Sequence, residues 1–186
     1  MVVNGPFTPD RRRGANALLG AATRHVRVAP FAAIALAALA AAGWLAGRQT
    51  AQIAGPARII DGDSLVVAGV EIRLYGIDAP EYRQYCFRHG RPWPCGVEAT
   101  RALRAMIANR SVACRAREQD RYGRTVAACS VGEVDLGAAM VAAGHAVAYG
   151  AYDGEERTAR DARRGIWSST FDRPAAWRAK HARGPR

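Results

Sequence analysis

Alternating apolar residues and tight turns in the segment 61–81 restrict the fold of this chain more than any other feature of its sequence. Three short runs with the period of a β-strand lie in and just before this segment, at 57–60, 64–67 and 70–75. The turn sequences Asp-Gly-Asp and Ala-Gly separate them, which is typical of strands joined by short connections. In the third run the apolar residues share one face, because side chains alternate along a strand, so Arg73 lies on the opposite face.

The rest of the domain mixes helices with further strands. The predicted elements are helices at 97–108, 136–143 and 155–164 and strands at 111–117, 124–130 and 145–149. Asp135 is a suitable N-cap for the second of these helices, and Gly144 ends it. This order of elements predicts the α+β class, mainly β: an OB-type five-stranded β-barrel with about three helices.

The amino-terminal third has the composition of an export signal. Residues 1–28 form a basic leader with arginines at positions 11, 12, 13, 24 and 27, and residues 29–47 are apolar and uncharged. A basic region before an apolar one is typical of a signal peptide or a signal-anchor. The apolar stretch is close to the roughly 17–25 residues that a membrane-spanning helix needs.

Two interpretations of this segment stay open. Its many alanines and other small residues favour a cleaved signal, whereas the long leader favours an uncleaved transmembrane anchor. A helix buried in the globular domain would not explain the charge asymmetry. Both favoured interpretations place the domain outside the cytoplasm, as a periplasmic, secreted or membrane-anchored protein. Residues 48–56 then serve as a linker, and one domain occupies 57–181.

The four cysteines predict disulfides. They are Cys86, Cys95, Cys114 and Cys129, and no Cys-X-X-Cys motif occurs, which argues against a zinc ribbon or a thioredoxin-type site. An even number of cysteines behind an export signal favours two bridges, for which three pairings exist. We favour Cys86–Cys95, which closes a short loop, and Cys114–Cys129, because the predicted hairpin sets these residues nearly opposite each other.

A strong positive charge indicates an anionic partner. The formal net charge is +11 and the isoelectric point about 10.5, which suits nucleic acid or an acidic lipid surface. Lys180 is the single lysine, and so arginine-rich a composition also arises from coding bias. Charge alone therefore does not choose between these partners, and no protein partner can be inferred.

Acidic and basic side chains concentrate in the segment 61–81 and in the sequence DRYGR at 120–124. The carboxylates are Asp61, Asp63, Asp78 and Glu81, and the arginines are Arg73 and Arg124. Carboxylate oxygens are the ligands that hard divalent cations prefer. Guanidinium groups bind phosphoryl oxygens through paired hydrogen bonds. Together these groups are what metal-assisted cleavage of a phosphodiester requires.

Four short motifs resemble those of the staphylococcal-type thermonuclease family. They are DGDS at 61–64, RLYGIDAPE at 73–81, DRYGR at 120–124 and GIW at 165–167, in the family's order. The resemblance covers essentially all of 57–178. It implies an OB-type five-stranded barrel with three helices, in agreement with the strand pattern. It also implies a calcium-dependent nuclease that acts on DNA and RNA, preferably in single-stranded or accessible regions.

Carried over residue by residue, the resemblance implies a calcium site formed by Asp63, Asp78 and the backbone carbonyl of Ala79. Glu81 would act through a water that it activates as general base. Arg73 and Arg124 would hold the scissile phosphate and stabilise the charge that grows on it in the transition state. The resemblance assigns contacts with the substrate to Arg121, Tyr122 and Tyr149.

Two features depart from the founding members of the family. Ala79 stands where they have a threonine, which leaves a carbonyl ligand intact. The sequence YCFRHGRPWPCG at 85–96 is inserted soon after Glu81, where we expect it to border the active site.

Plainer interpretations stay open beside the catalytic one. Asp61 builds only a turn, Tyr122 packs only on the hairpin, or the whole domain binds nucleic acid without cleaving it. A basic domain that binds acidic lipids or cell-wall polymers is a further alternative.

Overall fold

The computed structural model describes residues 52–181, together with Ile34 and Ala37. The predicted basic leader at 1–28 and the predicted signal or transmembrane segment at 29–47 lie outside the described residues, those two positions excepted. None of the helices that the described residues form has both the length and the apolar character needed to cross a membrane. The elements below belong to the unit formed by residues 47–186.

Short strands account for most of the ordered elements between residues 52 and 181. They are β1 (Gln52–Gly55), β2 (Ala57–Ile59), β3 (Ser64–Val67), β4 (Val70–Leu74), β5 (Ile77–Asp78), β6 (Cys86–Arg88), β7 (Arg91–Trp93), β8 (Val112–Gln119), β9 (Thr125–Val131), β10 (Val134–Asp135) and β11 (Val147–Ala148). Alternation puts Leu65, Ile72 and Leu74 in the core, each at most 2% exposed.

Four α-helices and one 3-10 helix lie in the same described range. They are α1 (Cys95–Ile107), α2 (Leu136–Ala142), α3 (Asp153–Asp161) and α4 (Pro174–His181), with the 3-10 helix at Gly165–Ser168. Asp135 caps α2 as predicted, since its carboxylate accepts a hydrogen bond from the N–H of Ala138 at 2.9 Å. The sequence pattern predicts the first three helices but not α4, whose apolar residues are mostly alanines and form no clear stripe.

The main sheet runs in the order β1-β8-β9-β4-β3-β2, with β10 beside β9. Neighbouring strands are antiparallel except β4 and β9, which are parallel. The sheet curls into a half-barrel over the core, which is consistent with an OB-like fold. The predicted α+β class is therefore confirmed. The sheet that residues 52–181 form has seven strands, however, where the sequence pattern predicts a five-stranded barrel.

Strand β1 corrects the predicted domain boundary. The sequence pattern places Gln52–Gly55 in the linker 48–56, but in the structure this segment pairs with β8, from Gln52 opposite Arg115 to Gly55 opposite Val112. Its four residues include one large apolar side chain, Ile53, which is too few for alternation to be visible. The folded domain thus starts no later than residue 52.

Both favoured disulfides are present. Cys114 and Cys129 are direct partners across the β8–β9 hairpin, and a disulfide joins them. The second bridge joins Cys86 in β6 to Cys95, the first residue of α1. No cysteine is free in the described part of the chain, which contains all four.

The inserted sequence at 85–96 folds as the β6–β7 hairpin and supplies a second, smaller core. Cys86, Cys95, Val147 and Ile166 are buried together there. The hairpin also joins the segment after the 3-10 helix, because Phe87 and Thr170 exchange backbone hydrogen bonds of 2.8 and 2.9 Å. The insertion therefore ties the start of α1 to the carboxyl-terminal part of the domain.

His145 predicts a pH-dependent contribution to stability. Burial lowers the pKa of this imidazole from its ordinary value of 6.5, although the charge of Glu98 opposes the shift. Its Nδ1 is buried and makes no hydrogen bond to the described residues. Because the unfolded chain binds the proton more readily, the free energy of unfolding should decrease as the pH falls through about 6.5.

Thermal unfolding of the wild type and of His145→Gln, between about pH 5 and 8, checks this expectation. The melting temperature should fall less toward acid pH in the variant, because its amide does not titrate. An equal fall in both proteins would place the responsible group elsewhere.

Candidate active site

Asp61 and Asp63 lie in the loop before β3, Asp78 is the last residue of β5, and Glu81 lies in the loop that follows β5. Asp61 closes the first loop, since its Oδ1 accepts a hydrogen bond from the N–H of Asp63 at 3.0 Å. Gly62 is needed between them, because a Cβ at this position would lie 2.7 Å from the Cβ of Ala79. This close approach of Gly62 to Ala79 holds the two loops together.

Asp63 is buried and hydrogen-bonded through both oxygens. Its Oδ1 accepts from Arg73 Nη1 at 3.1 Å and from the Ser64 hydroxyl at 2.9 Å, and its Oδ2 accepts from the N–H of Ala79 at 2.9 Å. Burial nevertheless raises the pKa of Asp63 to about 7, because it outweighs the opposing effects of Arg73 and Ala79. Burial thus disfavours the charged form of Asp63 more than the contacts with Arg73 and Ala79 favour it.

Arg73 bridges the two buried aspartates. Its Nη1 contacts Asp63, and its Nη2 donates to Asp78 Oδ1 at 2.8 Å, so one guanidinium spans both carboxylates. Its side chain is only 18% exposed. Burial tends to lower the pKa of Arg73, but the charges of Asp63 and Asp78 outweigh burial and raise this pKa. The contacts place the two carboxylates side by side.

A buried glutamine fixes the position of Glu81. The N–H of Glu81 donates to Gln84 Oε1 at 3.2 Å, and Gln84 Nε2 donates to the carbonyl of Asp172 at 2.7 Å. Gly96 packs directly against this segment, since a Cβ there would lie 1.7 Å from the carbonyl oxygen of Glu81. The first turn of α1 and the segment before α4 therefore hold Glu81 from two directions.

The turn between β8 and β9 orients the side chain of Arg124. Asp120 Oδ1 accepts from the N–H groups of Tyr122 and Arg124 at 2.9 and 3.0 Å, and its Oδ2 accepts from Arg124 Nε at 2.8 Å. Burial acts to raise the pKa of Asp120, but the hydrogen bonds from Arg124 and Tyr122 outweigh it and lower this pKa. Asp120 therefore closes this turn and also orients the Arg124 side chain.

Exposed aromatic rings border the site. Tyr122 and Tyr149 are each 70% exposed, and the Arg121 guanidinium lies 4.8 Å from the centre of the Tyr122 ring. Tyr122 therefore leaves most of its ring open to solvent, and the guanidiniums near that ring, Arg121 and Arg124, belong to the same turn.

One cleft of about 830 Å³ brings the predicted side chains together. Those that line it are Asp63, Arg73, Asp78, Ala79, Glu81, Arg121, Tyr122, Arg124 and Tyr149. The cysteines do not line this cleft, and within the described residues neither does any part of 85–96. The hairpin of the insertion packs on Ile166 and Thr170 instead, and the insertion meets the site only at its end, where Gly96 lies against the carbonyl of Glu81.

Oxygen donors in this cleft suit a hard divalent cation. Asp63 and Asp78 are adjacent, and Ala79 lines the cleft beside them. No group of three or more His, Cys, Asp and Glu residues forms a metal site within the described residues. Further ligands would have to be backbone carbonyls and water, which calcium accepts in its shell of roughly 6–8 oxygens. Asp63 and Asp78 are thus the described side chains that could supply anionic oxygens to such a cation.

Arg178 on α4 is the site residue that sequence reasoning missed. Its Nη1 donates to Asp78 Oδ1 at 2.9 Å and to Glu81 Oε1 at 2.8 Å, and its Nη2 donates to Asp78 Oδ2 at 3.1 Å. The hydrogen bonds that Arg178 donates to Asp78 and Glu81 raise the pKa of Arg178 despite burial. Arg178 is one of many arginines, distant in sequence from both partners, so no local pattern marks it.

A second groove of about 920 Å³ continues from the cleft along α4. It shares Glu81, Arg121, Tyr122 and Arg178 with the cleft, and adds Arg83, Trp177 and His181. The rings of Trp177 and His181 stack with their centres 3.9 Å apart. Cationic and aromatic side chains thus continue beyond the acidic part of the site.

Comparison with known families gives one match. The family described as staphylococcal nuclease homologue matches residues 71–169. This range contains Arg73, Asp78, Glu81 and Arg124, whereas Asp63 precedes it and Arg178 follows it.

Several individual proteins are similar over the same domain. Succinoglycan biosynthesis protein ExoI of Rhizobium meliloti (strain 1021) is 34% identical over 134 residues, which are 68% of this chain and 70% of that protein. Probable staphylococcal-like nuclease CAN4 of Oryza sativa subsp. japonica is 33% identical over 133 residues, 67% of this chain but only 25% of the rice protein. An uncharacterized endonuclease of Escherichia coli O157:H7 is 32% identical over 133 residues, 65% of this chain and 81% of that protein.

Proposed function

Because this chain belongs to the staphylococcal nuclease homologue family, a family of hydrolytic nucleases, we propose that it hydrolyses phosphodiester bonds of DNA and RNA in a calcium-dependent reaction. One observation carries the proposal. Two adjacent buried carboxylates, the half-exposed Glu81 and the guanidiniums of Arg73 and Arg124 line a single cleft of the described domain.

Arg73 and Arg124 are proposed to bind the scissile phosphate. They come from β4 and from the β8–β9 turn, and carboxylates orient both: Asp63 and Asp78 for Arg73, and Asp120 for Arg124. Negative charge on the phosphoryl oxygens increases in the transition state. Two cationic groups held in place beforehand therefore stabilise the transition state more than the ground state.

Glu81 is proposed as the general base toward the attacking water. Its side chain is 31% exposed, so water reaches it, while its backbone is fixed through Gln84. Calcium held by Asp63, Asp78 and the Ala79 carbonyl would lower the pKa of that water and stabilise charge on the phosphoryl group.

Single-stranded or otherwise accessible nucleic acid is the substrate form we propose. Tyr122 and Tyr149 offer exposed rings beside the cleft, and Arg121 lies next to one of them. Exposed rings stack on unpaired bases whatever their sequence, and arginines contact the backbone between them. The net charge of +11 is in keeping with such a partner.

We propose that the domain acts outside the cytoplasm. The two disulfides support this location, because such bridges persist in oxidising compartments. If the segment 29–47 is retained after export, the protein is anchored to the membrane; if it is cleaved, the protein is periplasmic or secreted.

Cleavage assays with the purified protein test the proposal. Single-stranded DNA and RNA should be cut in calcium and left intact in a chelator, and Glu81→Gln, which keeps the shape of the side chain, should lose cleavage but not binding. Calcium-independent cleavage would contradict the metal assignment. Binding without cleavage by the wild type would instead establish a non-catalytic nucleic-acid-binding module.

Gly96→Ala is expected to impair cleavage strongly although residue 96 bears no functional group. The added methyl would overlap the carbonyl oxygen of Glu81, so the backbone that carries the general base must shift. Overpacking of this kind costs about 1–3 kcal/mol of stability. Gly154→Ala is the control, because a methyl there meets only Arg157 Nη2, at 3.9 Å. Rates on single-stranded DNA and thermal unfolding check both; a fully active Gly96→Ala would show that the position of Glu81 is not critical.

A further inference from the structure

The contacts of Arg178 involve the same oxygens that the proposed calcium site needs. Both oxygens of Asp78 accept hydrogen bonds from this one guanidinium, at 2.9 and 3.1 Å. The same Nη1 reaches Glu81 at 2.8 Å. Paired hydrogen bonds between a guanidinium and a carboxylate are among the strongest polar contacts in proteins.

The surrounding chain holds α4 in position to make these contacts. Just before the helix, the carbonyl of Asp172 accepts from the buried Gln84, which also binds the N–H of Glu81. Arg173 pairs with Glu156 at 2.8 Å, and Pro174 at the start of α4 is buried. Arg178 therefore reaches the cleft from a helix whose start is held in place. The fold thus positions its guanidinium beside Asp78 and Glu81.

We propose that Arg178 is an internal competitor of the cation: its guanidinium on α4 and a calcium ion both use the oxygens of Asp78, so each weakens the binding of the other. The inference rests on the proposed calcium site and adds a positioning residue that the family match, which ends at residue 169, does not include. Asp78 already accepts three N–H groups, two from Arg178 and one from Arg73. A calcium ion at the oxygens of Asp78 must therefore displace one of the two guanidiniums or lie very close to it.

Competition has a consequence in each direction, because coupling between two binding events is reciprocal. Removing the Arg178 guanidinium should tighten calcium binding. Adding calcium should loosen α4, which then loses its contact with Asp78 while Arg173 and Asp172 still hold its beginning. The released guanidinium would lie at the junction of the cleft and the groove along α4, both of which it lines.

Calcium titration by calorimetry, on the full-length protein and with no nucleic acid present, tests the first consequence. Arg178→Gln, a neutral side chain of similar reach, should bind calcium on the order of 10-fold more tightly than the wild type, within the roughly 5–150-fold range of couplings between sites. Arg178→Ala should change the affinity in the same direction. Damage to the fold cannot mimic this result, since it would weaken binding, and circular dichroism verifies that each variant is folded.

Lys180→Ala is the matched control. It removes one positive charge from the same helix, but Lys180 pairs with the exposed Asp172 and contacts neither Asp78 nor Glu81. Calcium affinity should be unchanged. If Lys180→Ala tightened binding as much as Arg178→Gln, the effect would reflect overall charge and the competition would be overturned.

Hydrogen exchange of the α4 amides tests the reciprocal consequence. Calcium should speed exchange in 174–181 in the wild type and have no such effect in Arg178→Gln. Unchanged or weaker calcium affinity in Arg178→Gln, with a wild type that binds calcium, would overturn this inference alone. A wild type that binds no calcium would overturn the proposed metal dependence and this inference with it.

Discussion

Replacing Arg124 with alanine should lower kcat on single-stranded DNA by about 30- to 1000-fold, which corresponds to a loss of about 2–4 kcal/mol of transition-state stabilisation. The loss should be specific to catalysis. Arg124 is 26% exposed and its carboxylate partner, Asp120 in the same turn, is 17% exposed; ion pairs within one surface turn add little to stability. The free energy of unfolding should therefore change by less than about 1 kcal/mol.

Steady-state kinetics and urea unfolding of the same preparations check this prediction. Arg115→Ala serves as the control, because it removes the same charge from an exposed position on β8 that does not line the cleft. Its kcat should equal that of the wild type. Arg124→Lys should recover only part of the rate, since an ammonium cannot present the paired donors of a guanidinium. A fully active Arg124→Ala would remove this residue from the proposed mechanism.

Much of the fold could be predicted because its signals are local. The alternation of apolar and polar residues locates β3 and β4. The turn sequence Asp-Gly-Asp between β2 and β3 indicates where the chain reverses. Asp135 marks the start of α2, because its carboxylate is suited to accept a hydrogen bond from the first turn of a helix. Strand β1 gives no such signal, since it is a strand only because β8 offers an unpaired edge.

The residues of the candidate site likewise fall into those that local sequence signals reveal and those that they do not. The charged residues of three motifs, at 61–64, 73–81 and 120–124, all line the cleft, because each motif places them in a turn or on a strand beside one, whereas GIW at 165–167 does not line it. Gln84 and Arg178 act across the fold: one joins Glu81 to Asp172, and the other joins α4 to Asp78. Neither contact has a sequence spacing that could reveal it. The position of the inserted hairpin could not be predicted for the same reason, since it depends on the distant residues Ile166 and Thr170.

Arg73→Ala should be far more damaging to stability than Arg124→Ala, although both arginines are proposed to bind the same phosphate. Arg73 is the group that joins Asp63 to Asp78, and those two side chains are only 6% and 5% exposed. Removing one member of a buried ion pair leaves uncompensated charge in the interior, which costs about 3–5 kcal/mol. Urea unfolding in a chelator should show this loss, and nuclease activity should fall at least as far as in Arg124→Ala.

Calcium provides the decisive control for Arg73→Ala, because it would bring back positive charge to the same pair of carboxylates. A ligand that binds only the folded state stabilises it in proportion to its affinity, and a site that has lost its own cation should bind calcium more tightly. Calcium should therefore raise the free energy of unfolding more in Arg73→Ala than in the wild type, while cleavage stays impaired because the phosphate has lost one guanidinium. In Arg73→Lys, the rise in the free energy of unfolding that calcium causes should lie between those of the wild type and Arg73→Ala. One ammonium cannot span both carboxylates as Nη1 and Nη2 of Arg73 do. Equal stabilisation of both proteins by calcium would mean that the ion binds away from Asp63 and Asp78, and the carboxylates would then be a structural pair that Arg73 and Arg178 neutralise.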